Sequence, residues 1–298
     1  RVFIDRIEII GNVRTLDEVI RREFRLAEGD PFNAAKLQRT QQRIQNLGYF
    51  SFVNIAPQPT ADADKVRIVV EVEEQSTGEL TFGIGFSTSD GPLGQIGLRE
   101  RNLLGRGQDL RLDLSLSGRR SLITLRFTEP YFRGKPLAAG FDLYHTETDR
   151  DESSFNERRT GFSLRMGYDL AEYTRQSWRY NIEYTDIYDV ESDASFAIMQ
   201  QAGETLSSSV QHTISYDRRD NRFFPHEGYF VSWTTEVAGL GGDVRYLSNE
   251  LGAGYYIPFG DDVTLEFAGE TGVIQGIGQD VRVVDAFFVG GQNLRGFA

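Results

Sequence analysis

The sequence predicts a small α+β domain followed by a large antiparallel sheet of membrane-spanning β-strands. Helical spacing of apolar residues is confined to the part before residue 75, where it alternates with strand-like segments in the order β-α-α-β-β. From Gly78 the apolar residues instead recur with a period of two, which is typical of strands. Most of these later segments reach the roughly 9 to 11 residues that a strand needs to cross a bilayer. We therefore expect one small domain at 1–75 and one large β domain at 76–298.

The composition excludes a helical membrane protein but permits a transmembrane β-barrel. Hydrophobic residues make up 39% of the chain, and no run approaches the roughly 18 consecutive apolar residues that a membrane helix requires. Because a spanning strand needs only alternate apolar positions, a barrel in lipid can have the average composition of a soluble protein. The mean hydropathy of -0.39 therefore does not argue against a membrane location.

Charge and cysteine content exclude further classes of function. The chain has no cysteine, which rules out a disulfide scaffold and thiol-ligated metals. The net charge of -12 argues against a nucleic-acid partner, because phosphate binding needs clustered Lys and Arg. The chain begins at Arg1 without a methionine or a signal peptide, and we expect that it was cut from a longer protein.

The small domain is predicted to contain two helices and three strands. Thr15 is expected to cap a first helix that runs through Arg25. Asn33 is expected to cap a second helix that runs through Leu47. The predicted strands are Val2–Ile10, Phe52–Pro57 and Lys65–Glu73.

The segments after residue 76 alternate clearly between apolar and polar residues. Leu110 and Leu112 lie on one side of such a segment, whereas Arg111 and Asp113 lie on the other. The strands predicted in this way are 79–88, 93–102, 109–119, 121–128, 136–148, 162–169, 178–185, 207–217, 228–238, 244–258 and 262–275.

Periodicity alone does not distinguish a soluble β-sandwich, which buries its apolar rows, from a membrane barrel, which turns them towards lipid. Strand length, aromatic residues near strand ends and the density of charges opposite the apolar rows favour the barrel. The charged residues expected to line a watery lumen are Arg111, Asp113, Arg126, Arg165, Arg179, Glu183, Glu236, Glu266 and Glu270.

Loop lengths and strand number indicate an incomplete barrel. Outer-membrane barrels have short periplasmic turns and longer outside loops. The outside loops are therefore expected near 89–92, 118–120, 149–155, 189–206, 239–243 and 276–298. Single-chain barrels have an even number of strands, so we expect about eleven strands of roughly sixteen to be present.

The sequence lacks the constellations that catalysis or metal binding would require, so we expect neither an enzyme nor a cofactor. Gly83-Ile84-Gly85 is not a dinucleotide fingerprint, because no third glycine and no helix follow it. His145, His212 and His226 are far apart and lack metal-ligand spacing.

Three stretches of the small domain combine turn glycines with aromatic anchors. They are Ile9-Ile10-Gly11-Asn12, Glu28–Asn33 and Leu47–Phe50. In this order they resemble the POTRA domain, a periplasmic module that precedes outer-membrane barrels. The resemblance implies an exposed sheet edge that accepts an extended strand from a client or an accessory lipoprotein.

Four stretches of the β region are more specific than alternation alone. They are Asn102–Gly107, Phe127–Phe132, Phe223–Gly228 and Gly290–Phe297. In this order they resemble three turns and the sixth outside loop of the outer-membrane insertase superfamily, and they look most like its BamA family. Leu294 stands where the signature of the sixth loop usually has a valine.

The resemblance implies two groups of site residues. The family's sixth loop folds back into the lumen through an arginine, here Arg295, whose partner strand is not in this chain. The family's first barrel strand meets the last strand at a lateral seam, and glycines weaken its pairing. The alternative for Arg295 is a solvated loop residue. The alternative for the first strand is a flexible strand that only closes the barrel. The implied residues are Leu294, Arg295, Gly296 and Phe297 in the lumenal loop motif, and Leu80, Thr81, Phe82, Gly83, Ile84, Gly85, Phe86 and Ser87 in the lateral-seam strand.

The resemblance also implies a non-enzymatic function in the bacterial outer membrane, with the POTRA domain in the periplasm. That function is the assembly and insertion of β-barrel proteins, by POTRA capture and strand addition at the first-strand edge. The implied partners are unfolded outer-membrane protein clients, accessory outer-membrane lipoproteins bound through POTRA, and the lipid bilayer; no nucleic acid and no cofactor are implied.

Two alternatives remain at this stage. A TamA-like module or a two-partner secretion pore of the same superfamily shares the POTRA domain and the sixth-loop arginine, although the turns at Asn102–Gly107 and Glu129–Phe132 look most like the BamA family. A soluble β-sandwich binding module is the alternative from a different class.

Overall fold

The computed structural model describes residues 2–87, 91–150, 155–222, 224–260, 263–282 and 285–287. These residues form a three-stranded sheet and an eleven-stranded sheet. The chain groups into two compact units, which are 1–81 with 97–112, and 82–96 with 113–298.

The small domain has the predicted order β-α-α-β-β. Its elements are β1 (Phe3–Ile10), α1 (Asp17–Arg21), α2 (Ala34–Asn46), β2 (Phe50–Pro59) and β3 (Lys65–Glu74). The strand β3 lies in the middle of the sheet, parallel to β1 and antiparallel to β2.

The core of the small domain lies between this sheet and the helices. Its most buried side chains belong to every element of the domain, since a helix or sheet must bury its apolar face against another element. Tyr49 and Phe50, predicted to anchor the end of α2, are both buried, and their rings meet edge to face at 6.2 Å. Members of the core are Ile4, Ile7, Val19, Ile20, Leu37, Ile44, Phe50, Val66, Ile68, Val70 and Val72.

The second helix begins and ends as its sequence predicts. The side chain of Asn33 accepts a hydrogen bond from the backbone N–H of Lys36 at 3.0 Å, so it satisfies one of the free donors of the first turn. Gly48 follows the helix with a φ of +72°, a conformation that favours glycine.

The first helix differs from the prediction. It spans only Asp17–Arg21, and its N-cap is Leu16, without a side-chain cap. The prediction that Thr15 caps this helix was wrong, because the helix begins at Asp17 and Thr15 therefore lies one residue before the N-cap position. The Thr15 hydroxyl is buried and accepts a hydrogen bond from the side-chain amide of Asn102.

The large sheet contains eleven strands among the described residues, as predicted. They follow one another in sequence order from β4 to β14, so each strand lies beside its predecessor. The strands are β4 (Gly78–Ser87), β5 (Gly91–Leu103), β6 (Gln108–Ser117), β7 (Arg120–Glu129), β8 (Ala138–Arg150), β9 (Phe155–Ala171), β10 (Thr174–Tyr188), β11 (Gly203–Asp217), β12 (Gly228–Ala238), β13 (Tyr246–Pro258) and β14 (Thr264–Gly276).

One connection predicted as a loop contains a helix. The short helix α3 (Phe196–Gln200) follows β10, and the Ser195 side chain caps it. Five residues carry too little periodicity for a prediction from sequence. A small cluster of Phe155, Ile187, Ala194 and Ile198 holds the helix.

The two faces of the large sheet have the reverse of a soluble sheet's polarity. The face that carries Leu164, Trp233 and Leu251, here called the apolar face, is exposed. The opposite, polar face carries Asp142 and Glu157, which are only 5% and 3% exposed. A soluble sandwich would bury the apolar rows instead, so the structure favours strands that face lipid.

No helix among the described residues has the length and apolar character needed to span a membrane.

We expect Leu251→Arg to destabilise the folded protein in lipid vesicles by about 2 to 4 kcal/mol, the cost of an arginine on the lipid face near the bilayer centre. Leu251 lies in the middle of β13 on the apolar face. Unfolding by urea in vesicles measures the change in the free energy of unfolding.

The neighbouring substitution Glu250→Arg is the matched control, because it places the same side chain at the same depth on the polar face. There Glu236 and Glu270 are its diagonal neighbours on β12 and β14. We expect this variant to be neutral or stabilised. Equal destabilisation by both substitutions would contradict the assignment of the faces.

Candidate functional site

The strand β4 has a free edge. It is the last strand of the sheet on one side, and the described part of β14 is the last on the other. Within the described residues β4 pairs only with β5, so the backbone N–H and C=O groups along its second edge have no strand partner. This is the geometry that accepts an added strand from another chain.

The predicted lateral-seam strand coincides with β4. Its apolar side chains Leu80, Phe82, Ile84 and Phe86 are exposed, and Ile84 reaches 97%. A side chain at Gly85 would meet no atom within 4 Å, so this part of the strand carries little packing. The side chain of Ser87 lies outside the described residues.

The turn between β5 and β6 contacts the loop that precedes α1, within one compact unit. Asn102 is 7% exposed, and its amide nitrogen donates to the Thr15 hydroxyl at 2.9 Å. Its amide oxygen accepts the backbone N–H of Gly107 at 2.7 Å. The backbone N–H of Leu16 donates to the carbonyl of Gly105 at 2.9 Å, so side-chain and main-chain bonds hold the turn together.

Glycines allow this close approach. Gly105 has a φ of +71°, and a Cβ there would lie 1.9 Å from the carbonyl oxygen of Arg14. Gly107 has a φ of +67°, and its Cβ would lie 2.3 Å from the Arg22 guanidinium. Both positions therefore favour glycine for conformation, and Gly105 also needs it for space because its clash is with backbone.

Glu74 also binds the loop that precedes α1. Its carboxylate accepts the backbone N–H groups of Arg14, at 2.9 Å, and of Thr15, at 2.6 Å. Burial raises the pKa of Glu74, but the hydrogen bonds from Thr15 and Arg14 outweigh it, so the pKa lies below its ordinary value.

The polar face of the large sheet is joined by ion pairs. The buried Asp142 accepts a hydrogen bond from Arg126 at 3.1 Å and forms an ion pair with Arg165 at 2.8 Å, which links β7, β8 and β9. On β9, Arg159 pairs with Glu157, and it lies 3.7 Å from Glu183 of β10. These contacts place Arg126, Arg165 and Glu183 of the predicted charged row on one face.

The described chain turns back over the polar face after β14. A Cβ at Gly272 would lie 2.6 Å from the ring of Phe287, so this aromatic side chain packs directly on the strand. The predicted lumenal loop motif, Leu294 to Phe297, lies outside the described residues.

Histidines and carboxylates do not form a metal centre in the described ranges. No group of three or more potential metal ligands occurs there. The ring centroids of His212 and Trp178 are 4.3 Å apart, and His226 lies beside Asp220 in a turn. Packing and turn contacts therefore account for both histidines.

Two protein families match the two parts of this chain, the small domain and the large sheet. The Omp85 superfamily domain matches residues 102–298, and the POTRA family, described as a surface antigen variable number repeat, matches residues 2–75. The chain belongs to the Omp85 superfamily. The predicted POTRA domain and insertase resemblance are thereby confirmed at the level of the family.

Two curated relatives of this Omp85 chain are named outer membrane protein assembly factor BamA. The protein of Nitratidesulfovibrio vulgaris is 32% identical over 303 residues, covering 100% of this chain and 38% of the relative. That of Neisseria meningitidis serogroup B is 28% identical over 317 residues, covering 100% and 40%. The chain therefore spans about two fifths of the length of these relatives.

Solved structures show the same fold. BamA from Haemophilus ducreyi lacking POTRA domains 1–3 has a TM-score of 0.84 at 22% identity, covering 100% of this chain and 60% of that chain. CdiB from Acinetobacter baumannii has a TM-score of 0.61 at 13% identity, covering 99% and 56%. Omp85 homologues of the BamA type are outer-membrane proteins with a periplasmic POTRA domain, so the chain is assigned to the outer membrane.

We expect Asn102→Ala to loosen the β5–β6 turn, because it leaves the Thr15 hydroxyl and the Gly107 N–H buried without their partner. Such losses cost about 1 to 3 kcal/mol. Amide hydrogen exchange at Gly107 and Leu16 should accelerate about tenfold or more.

The control for Asn102→Ala is Asn46→Ala, at an exposed residue that ends α2. We expect it to change stability by less than about 0.5 kcal/mol and to leave exchange at Gly107 unchanged. Unaltered exchange in Asn102→Ala itself would show that the turn does not depend on this amide.

The Glu74 interaction predicts a pH dependence. A carboxylate with a lowered pKa in the folded state stabilises the protein above its unfolded value, about 4.5, and this stability is lost as pH falls through the folded pKa. Wild type should therefore be more stable than Glu74→Gln at neutral pH, and the difference should vanish in acid. Urea unfolding at several pH values measures it, with the exposed Glu71→Gln as control; a difference that persists below about pH 3 contradicts the prediction.

Proposed function

We propose that this Omp85 chain is the membrane-proximal part of a factor that assembles and inserts β-barrel proteins into the outer membrane. In this proposal a client strand adds to the free edge of β4 by main-chain hydrogen bonds. The observation that carries it is the position of β4 as an end strand whose second edge has no partner within the described residues. The names of the BamA relatives support the same activity.

The energetics of the proposed reaction need no enzyme and no nucleotide. A client strand in the bilayer must satisfy its backbone polar groups, since each unpaired group in hydrocarbon costs several kcal/mol. The edge of β4 offers those bonds, and the client then gains free energy by burying its own apolar face in lipid. A locally thinned bilayer would lower the barrier further.

The small domain supplies the proposed periplasmic contacts. A periplasmic POTRA sheet can accept an extended segment at an exposed edge, and both β1 and β2 are edge strands here. We propose unfolded outer-membrane protein clients and accessory outer-membrane lipoproteins as the partners of this surface. We also propose 1–75 and 76–298 as the two functional domains.

The proposed function also includes a role for the lumenal loop motif, Leu294 to Phe297. Arg295 would hold the sixth loop against the polar face, with Gly296 allowing close approach and Phe297 packing beside it. The packing of Phe287 on Gly272 supports this, because the chain already lies over the polar face eight residues before Arg295.

Disulfide trapping tests strand addition at β4. The full-length protein carries Thr81→Cys or Gly85→Cys, is reconstituted in vesicles, and receives a client barrel with a cysteine in its last strand. We expect disulfide-linked complexes during client insertion, because a paired strand places Cβ atoms within about 5.5 Å.

The control is Ile182→Cys on β10, a strand with partners on both sides. It should give no linked complex with the client. Linkage at Ile182 as strong as at β4, or client insertion without linkage at either β4 position, would refute strand addition at this edge. A translocation pore would pass its substrate without forming these pairs.

A further inference from the structure

A groove crosses three neighbouring strands on the apolar face of the large sheet. Val231 of β12 pairs with Ala253 of β13, and Ala253 pairs with Gly269 of β14. The small size of Ala253 and Gly269 leaves a cavity of about 630 Å³ bordered by Tyr255 and Phe267. Since the lining is apolar and the groove opens on the face turned to lipid, it can accept a hydrocarbon chain.

A row of tyrosines borders the groove on the side of the β11–β12 turn. Tyr173, Tyr216, Tyr229 and Tyr255 follow one another across β11 to β13 and the turn before β10. Their ring centroids are separated by 6.1, 5.7 and 6.4 Å along the row. Aromatic rows near strand ends mark the level of the lipid headgroups.

Arg218 lies at this row, and no carboxylate of the described residues pairs with its guanidinium. Its guanidinium lies 5.6 Å from the ring centroid of Tyr173, and its backbone N–H donates to the carbonyl of Tyr229 at 2.9 Å. The side chain is exposed and forms no ion pair with a carboxylate of the described residues, so several of its five N–H donors are available.

The adjacent Arg219 differs from Arg218 because it is paired with a carboxylate. Arg219 donates to both oxygens of Asp217 at 2.9 Å and lies over the ring of Phe230 on the polar face. Two consecutive arginines thus lie on opposite faces, and among the residues that the structure describes Arg218 has no carboxylate partner on the apolar face. A cation beside tyrosines and an apolar groove complements an amphiphile with an anionic head.

We propose that Arg218 and the groove at Ala253 and Gly269 form a binding site for an anionic diacyl phospholipid. One acyl chain lies in the groove, and the phosphate accepts hydrogen bonds from Arg218. The proposal rests on the membrane location given above. Because consecutive strands alternate in direction, the β11–β12 turn lies at the end of the sheet where β4 begins, which places the lipid in the periplasmic leaflet.

Native mass spectrometry of the full-length protein in detergent micelles tests the site. The probes are phosphatidylglycerol, which is anionic, and phosphatidylcholine, which is zwitterionic. We expect the wild type to retain phosphatidylglycerol preferentially. Arg218→Gln should weaken phosphatidylglycerol binding about tenfold, the usual effect of losing a charge-assisted hydrogen bond, whereas Arg218→Lys should retain most of it.

A second variant tests the groove. Ala253→Leu fills the cavity with an apolar side chain, which the lipid-facing surface tolerates. We expect it to weaken the binding of both lipids, while Val273→Leu, an exposed apolar position of β14 outside the groove, should not. Retained migration shift on heating in detergent shows that each variant is folded.

Arg133→Gln is the matched control for charge. Arg133 lies 5.6 Å from the ring centroid of Phe132, the distance at which Arg218 lies over Tyr173, but in a different turn at the same end of the sheet. It should leave phosphatidylglycerol binding unchanged. Equal losses in Arg133→Gln and Arg218→Gln, or equal retention of the two lipids by wild type, would overturn the proposed site.

The outcome is separable from that of the proposed function. Lipid retention in micelles requires no client, so selective phosphatidylglycerol binding with failed client trapping supports the site and contradicts strand addition. Client trapping in a protein without lipid selectivity supports strand addition and overturns the site.

Discussion

The structure depends on the need to pair every backbone polar group in a medium that supplies no hydrogen bonds. Eleven strands meet this need by lying in sequence order, each bonded to its predecessor and its successor. The exceptions in the described chain are the outer edges of β4 and β14. An unpaired edge is a liability in a soluble protein, but in the function proposed above it is the place where a client strand adds.

The same medium reverses the polarity of the sheet. Leucines and tryptophans are exposed on the apolar face, while Asp142, buried between Arg126 and Arg165, joins neighbouring strands on the other. Among the described residues, the extended apolar core of the soluble kind lies in the small domain. The chain thus combines a domain that folds by burying apolar side chains from water with a sheet that presents them to lipid.

Much of the fold could be predicted because it depends on short-range periodicity. Alternation of apolar and polar residues along each segment predicted the number of strands, and Asn33 with Gly48 predicted both ends of α2. The helix α1 was predicted too long, because after Arg21 the backbone N–H groups of Glu23 and Phe24 bond to carbonyls three residues back and form turns instead of an α-helix. The helix α3 was missed because it has only five residues.

By itself, the sequence determined which residues share a face, where turns need glycine, and which family the chain resembles, because these follow from neighbours along the chain. Only the tertiary structure decided that Asn102 bonds Thr15, that Phe287 packs on Gly272, and that Asp217 pairs with Arg219 while Arg218 has no carboxylate partner in the described part of the chain. Each of these depends on distances between residues on different elements. Such distances are set by register and by close packing, which a linear pattern does not record.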